Sequence, residues 1–171
     1  MAFVFQYGSN MSSSRINSPI RLHGDARFVC LAFTADLYDF EFTVFSKSND
    51  CAAANIHPNP TGRQIWGVVY EIPDNLIKRE TAGNRKSLDA IEGEGSTYER
   101  VYILLRKQAD VDFPMPVITY VALKRINDIR TSAEYAGHII RGAMEHNLPS
   151  DYISYIKNKI IENDVNLRDY I

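Results

Sequence analysis

From Phe28 to Ile72 one strand-like stretch follows another with no helical period between them. That succession constrains the fold more than any other feature of the chain. Phe28 to Leu37 is rich in β-branched and aromatic residues, and Glu41-Phe42-Thr43-Val44-Phe45 alternates polar and apolar as a half-buried strand does. Ser46 to Asp50 is a polar loop leading into a further strand, Cys51 to Ile56. Pro58-Asn59-Pro60-Thr61-Gly62 is turn chemistry, a preset φ followed by a permissive glycine. Gln64 to Ile72 is the clearest strand of all. Strands without crossover helices between them do not build a doubly wound parallel sheet.

The flanks complete the pattern. Residues 2–6 read as a short strand, and Asn10 or Ser12 could cap a brief helix through Ile16. Pro73-Asp74 opens a helical region that restarts near Asn84 and runs to Glu92. Tyr98 to Lys107 and Val117 to Leu123 read as two more strands. From Ser132 the period changes, placing Tyr135, Ile139, Ile140 and Ala143 on one helical face. Pro149 suits the first turn of a last helix carrying Tyr152, Tyr155, Ile156 and Ile160. The expectation is an α+β chain: one domain over residues 1–171, built as a small mixed, partly closed β-barrel of about six to seven strands with helices at its flank.

Several function classes are disfavoured by composition. A net charge of −2 argues against a dedicated nucleic-acid or anionic-membrane surface. No apolar run approaches the ~20 residues that span a bilayer, and the start lacks the basic segment of a signal peptide, so a cytoplasmic protein is expected. Cys30 and Cys51 do not make a disulfide framework. The four histidines, His23, His57, His138 and His146, show no metal-ligand spacing, and neither a Walker lysine nor a dinucleotide fingerprint is present. No metal and no cofactor are expected.

Two short motifs remain. Tyr7-Gly8-Ser9-Asn10 follows the strand Phe3-Val4-Phe5, and such a turn can present backbone N–H groups to an anion, helped by residue types that tolerate positive φ. Leu88-Asp89-Ala90-Ile91-Glu92-Gly93 ends a helical stretch against glycine. Leu88 and Ile91 would face the core with Glu92 on nearly the same face, where apolar surroundings raise a carboxyl's pKa and improve it as a base. Asp89 would turn away toward solvent. The plainer alternatives are a simple turn and a surface glutamate at a helix end.

Taken in order with further landmarks, these motifs resemble the γ-glutamylcyclotransferase family over most of the chain. The landmarks are Ala52-Ala53-Ala54-Asn55-Ile56, Ile65-Trp66-Gly67-Val68-Val69-Tyr70, Tyr98 with Arg100, Tyr135, Gly142-Ala143 and Leu148-Pro149. The Y-G-S-N turn resembles the branch acting on γ-glutamyl amino acids. Gln6 stands where a small residue is common, and Glu94-Gly95-Ser96-Thr97 differs in length and charge from familiar relatives; both border the expected pocket.

The resemblance implies a cofactor-independent enzyme in which a substrate's α-amine attacks its own γ-carbonyl, releasing 5-oxoproline and an amine or amino acid. Glu92 would be the general acid and base. Gln6, Tyr7, Gly8, Ser9, Asn10, Tyr98 and Tyr135 would bind the substrate. The partner is then a small γ-glutamyl compound, with no nucleic acid and no membrane, and a homodimer is possible. Two alternatives stay open: the same chemistry on a γ-glutamyl-protected biosynthetic intermediate, or a non-catalytic module binding small acids.

Overall fold

The computed structural model describes residues 1–107 and 110–171. The chain runs through β1 (Ala2–Gln6), a 3₁₀ turn (Ser9–Met11), α1 (Ser13–Ile16), β2 (Arg27–Thr34), β3 (Tyr38–Ser46), β4 (Cys51–Pro58) and β5 (Trp66–Ile72). Two 3₁₀ turns then lead to α2 (Leu88–Glu92), β6 (Tyr98–Ile103), β7 (Leu105–Lys107), β8 (Val111–Asp112) and β9 (Val117–Ala122). The helices α3 (Ala133–Glu145) and α4 (Ser150–Asn163) and a last 3₁₀ turn close the chain.

The described strands form a curled, seven-stranded mixed sheet in the order β6-β9-β1-β5-β2-β7-β8, with β3 and β4 as a separate pair. β1 lies antiparallel to β5 and parallel to β9, and β5 lies antiparallel to β2. These central strands are buried because both faces are covered: Val4, Val68, Val69, Tyr70 and Ile72 are each 0% exposed. The result is the half-barrel with flanking helices that the strand succession implies.

One correction explains the curl. Tyr98 to Lys107 is not a single strand. It is β6, paired with β9 at one end of the sheet, and β7, paired with β2 near the other. Only Leu104 separates them. Two Cα steps span at most roughly 7 Å, so the two ends of the sheet must curl toward each other. The helical region after Pro73 is likewise shorter than its composition suggests. It folds as 3₁₀ turns over Asp74–Leu76 and Arg79–Thr81, and α2 starts only at Leu88, where Ser87 caps it by accepting from the Ala90 N–H at 3.1 Å.

Two glycines set distances that matter for the site. A Cβ on Gly67 would lie 2.4 Å from the Gln6 carbonyl oxygen and 2.7 Å from the Phe5 ring, so β5 approaches the end of β1 only because no side chain is there. A Cβ on Gly142 would lie 2.5 Å from the Ser12 nitrogen. α3 therefore packs directly on the 3₁₀ turn that follows β1. The helical periods hold: Tyr135, Ile139, Ile140 and Ala143 of α3 are buried, as are Tyr152, Ile156 and Ile160 of α4. Tyr155 sits at the border beneath the Arg63 guanidinium, 4.3 Å from its ring centroid. Among the described residues no helix is long and apolar enough to cross a membrane.

Candidate active site

β1 delivers Gln6 and Tyr7 to the core and then turns abruptly into the 3₁₀ turn Ser9–Met11. The turn closes through the Met11 N–H donating to the Gly8 carbonyl at 3.0 Å. Among the described residues the N–H groups of Gly8, Ser9 and Asn10 donate to no protein acceptor, so they remain available to an anion. Gly8 does not use positive φ; its backbone sits at φ −108° and ψ −147°. A Cβ there would lie 3.4 Å from the Ala54 Cβ and 3.6 Å from the Tyr135 hydroxyl, which is ordinary contact. The constraint at Gly8 is therefore space beyond a methyl group, not backbone strain.

α2 brings Glu92 to this turn across the sheet end. Its Oε1 accepts from Asn10 Nδ2 at 2.7 Å, and Asn10 Oδ1 accepts from Arg21 Nη1 at 3.0 Å. The amide of Asn10 thus bridges a carboxylate and a guanidinium that do not touch. Burial raises the Glu92 pKa above the ordinary carboxyl value, and Arg21, the Asn10 hydrogen bond, Arg15 and Gln6 only partly oppose it. A half-buried carboxylate of raised pKa facing a cavity is suited to moving a proton near neutral pH.

Asp89, one turn earlier, is not solvent-facing. It is 4% exposed, it pairs with Arg100, and its Oδ1 accepts from the Tyr120 hydroxyl at 2.7 Å. Its backbone carbonyl accepts from Arg79 at 3.0 Å. The expectation that Asp89 faces solvent fails because β6 and β9 bring Arg100 and Tyr120 beside it, where water was expected.

The tyrosines divide their labour. The Tyr7 hydroxyl points into the core and donates to the Tyr120 carbonyl at 2.6 Å. Tyr98 donates to the Ala54 carbonyl at 2.7 Å, while Tyr135 accepts from the Ala54 N–H at 3.1 Å. Ala54 of β4 is thereby clamped at both backbone groups, next to the bulge where the β3–β4 register slips between Phe42 and Val44. The Tyr135 hydroxyl still has its proton to donate toward the cavity. Burial raises the pKa of Tyr7, Tyr98 and Tyr135, so all three are neutral at physiological pH.

The cavity has two parts. An inner chamber of about 30 Å³, roughly one water's share of volume, is bounded by Gln6, Tyr7, Gly8, Ala54, Thr119 and Tyr120. Ser9, Asn10, Glu92, Tyr98 and Tyr135 border both it and an outer cleft of about 600 Å³. All the residues singled out from the sequence thus converge on one place. Ala54, Tyr120, Arg15 and Arg21 were not singled out as site residues. Arg15 lies in the brief helix α1 and Arg21 in the turn beyond it, and only the tertiary fold turns the two toward the cleft. Glu92's hydrogen-bond partner is an amide and no histidine joins it. Among the described residues no cluster of three or more His, Cys, Asp or Glu side chains could hold a metal.

No curated protein matches this sequence. Among solved structures, one named γ-glutamyl cyclotransferase is 25% identical with a TM-score of 0.75, covering 91% of this chain and 86% of that one. An uncharacterized protein from Homo sapiens is 24% identical, with a TM-score of 0.74 over the same shares of the two chains. A γ-glutamyl cyclotransferase specific to glutathione, from yeast, shares the fold at 12% identity and a TM-score of 0.56, covering 95% of this chain and 96% of that one. The AIG2-like family matches residues 64–156, the segment from the start of β5 through α2 and the tyrosine strands into α4. The chain belongs to the AIG2-like family.

Proposed function

We propose that this protein is a γ-glutamylcyclotransferase acting on a small γ-glutamyl compound. The observation that carries the reading is the contact between the two motifs: Glu92, with its pKa raised by burial, hydrogen-bonded through Asn10 to a turn whose N–H groups are unclaimed. A base beside an anion cradle is what intramolecular aminolysis requires.

In this mechanism the ionised Glu92 takes a proton from the substrate's α-ammonium. The freed nitrogen attacks the γ-carbonyl carbon of the same molecule, and the carbonyl oxygen becomes an oxyanion held by the N–H groups of the Gly8–Asn10 turn. Collapse of the tetrahedral intermediate breaks the bond to the leaving nitrogen, which takes the proton from Glu92; the ring nitrogen then gives up its second hydrogen through the regenerated Glu92 to the departing amine, which leaves as an ammonium. The products are 5-oxoproline and an amine. Holding the glutamyl chain folded supplies much of the acceleration, since effective molarities of about 10⁵ M or more are available to well-oriented intramolecular reactions. Tyr98 and Tyr135 hold the cavity wall through Ala54, and Tyr135 can also donate its proton to the substrate. The same chemistry on a γ-glutamyl-protected biosynthetic intermediate would use the same groups.

The test is product identity. Incubation with γ-glutamyl amino acids should release 5-oxoproline, and acetylating the substrate's α-amine should abolish turnover. Free glutamate in place of 5-oxoproline would mean that water attacks and that the enzyme is an amide hydrolase. Binding without any turnover would point to a non-catalytic module.

A further inference from the structure

The outer cleft carries more positive charge than the proposed reaction uses. Arg15 from α1, Arg21 from the turn after it, Lys47 from the β3–β4 turn and Lys86 from the segment before α2 all line it. Among the described residues none of the four has a carboxylate within 4.0 Å, whereas Arg27, Arg63, Arg79, Arg85 and Arg100 each do. Arg15 is held only by neutral oxygens, Ser9 Oγ at 3.1 Å and Asn49 Oδ1 at 2.7 Å, with its guanidinium 5.8 Å from the Tyr135 ring centroid. Arg21 likewise holds only Asn10 Oδ1. Facing these cations are Glu92 at the floor, Glu134 at the rim and His138, whose pKa is lowered by burial and then by Arg15. The chain as a whole is net negative, so this accumulation is local.

Guanidinium groups turned into a cleft with neutral partners keep their capacity for an anion. At about 600 Å³ the cleft is in the size range that encloses a whole small ligand. The γ-glutamyl group, placed by Glu92 at the floor, leaves most of it for the leaving group.

Resting on the cyclotransfer reading, we propose that the outer cleft selects γ-glutamyl compounds whose leaving group carries at least two anionic groups, carboxylate or phosphate, with Lys47 and Lys86 as specificity-determining residues. Arg15 and Arg21 would meet the anion nearer the scissile bond. Lys47 and Lys86, both exposed at the rim, would meet the one farther out.

The experiment compares kcat/KM for 5-oxoproline release from γ-glutamyl-glutamate, γ-glutamyl-phosphoserine and γ-glutamyl-glutamine, the last matching the first in shape with one charge fewer. A preference for an acidic substrate over the glutamine compound of about three- to tenfold is expected, shrinking as salt is added. The better acidic substrate distinguishes carboxylate from phosphate. In the Lys47→Ala/Lys86→Ala double variant the preference should fall toward one, and in Lys47→Glu/Lys86→Glu it should invert. A wild-type ratio at or below one for both acidic substrates, or a ratio untouched by the lysine substitutions, overturns the proposal. If none of the compounds releases 5-oxoproline, the reaction itself is wrong. The cleft is then read by calorimetry with the N-acetylated glutamate and glutamine compounds: tighter binding of the acidic one, weakened in the double alanine variant, sustains the charge selection, and equal binding ends it.

Discussion

At the scale of single residues, Glu92 is a group whose function and stability oppose each other. Burial raises its folded-state pKa above that of the unfolded chain. Its contribution to stability is therefore fully present below the unfolded pKa and is lost as pH rises through the folded one. Above its folded-state pKa the protein carries a desolvated carboxylate that Arg21 and Asn10 only partly compensate. Glu92→Gln should lower turnover by roughly 10²–10⁴, yet leave the melting temperature at pH 7 unchanged or higher, with less gain at pH 4. Thermal melts at the two pH values check this; a marked drop at pH 7 would show that the ionised group is stabilising. For the wild type, activity should rise with pH through an apparent pKa above the usual glutamate value near 4.5, because only the ionised form accepts the ammonium proton.

At the scale of elements, the weak point is α2. A five-residue helix does not persist by its own hydrogen bonds. It is anchored by Ser87 at its start and by Asp89, whose carboxylate binds Arg100 and Tyr120. Removing one partner of a buried pair leaves the other uncompensated, so Asp89→Ala should destabilise by about 3 kcal/mol and reduce turnover as Glu92 loses its footing. Denaturant melts and kcat together test this. Loss of the half-exposed Arg79–Glu94 contact, at 3.6 Å, should matter far less, about 0–1 kcal/mol. The turn before α1 makes a second prediction. The isopropyl group of Gly8→Val must enter the space between Ala54 and the Tyr135 hydroxyl, so binding of 5-oxoproline should be lost, as read by calorimetry. A folded Gly8→Val protein that binds it normally would exclude the turn as the anion site.

Across the whole molecule, the cavity exists because two sheets are fastened together. The separate β3–β4 pair is tied to the seven-stranded sheet and to α3 through Ala54, held by Tyr98 and Tyr135, and through Asn55, whose Oδ1 accepts from the Ala122 N–H at 2.8 Å. Tyr98→Phe and Tyr135→Phe each leave a buried backbone group of Ala54 unpaired, which should destabilise by about 1–3 kcal/mol. Because both act on one peptide strand, the double variant should depart from additivity, whereas either one combined with a change in distant α4 should not. Chemical denaturation of the single and double variants measures that coupling.

Local chemistry was enough to determine much of this protein. Alternation announced β3, the helical period announced the buried faces of α3 and α4, and the order of short motifs announced Glu92 and the Tyr7–Asn10 turn. The first two signals lie within a few neighbouring residues, and the third is the order of such short stretches along the chain. The rest depends on contacts between distant positions. Asn10 meets Glu92 across 82 positions, and Tyr98 meets Ala54 across 44. The continuous run from Tyr98 to Lys107 breaks at Leu104 because its halves pair with β9 and β2 at opposite ends of a curled sheet. Asp89 is buried because β6 and β9 arrive beside it, and Gly8 is confined by Ala54 and Tyr135 rather than by its own φ. Sequence period records which face of an element is apolar; it carries no record of which partner will cover that face, and the partner decides whether a polar side chain ends in water, in an ion pair or in a cavity.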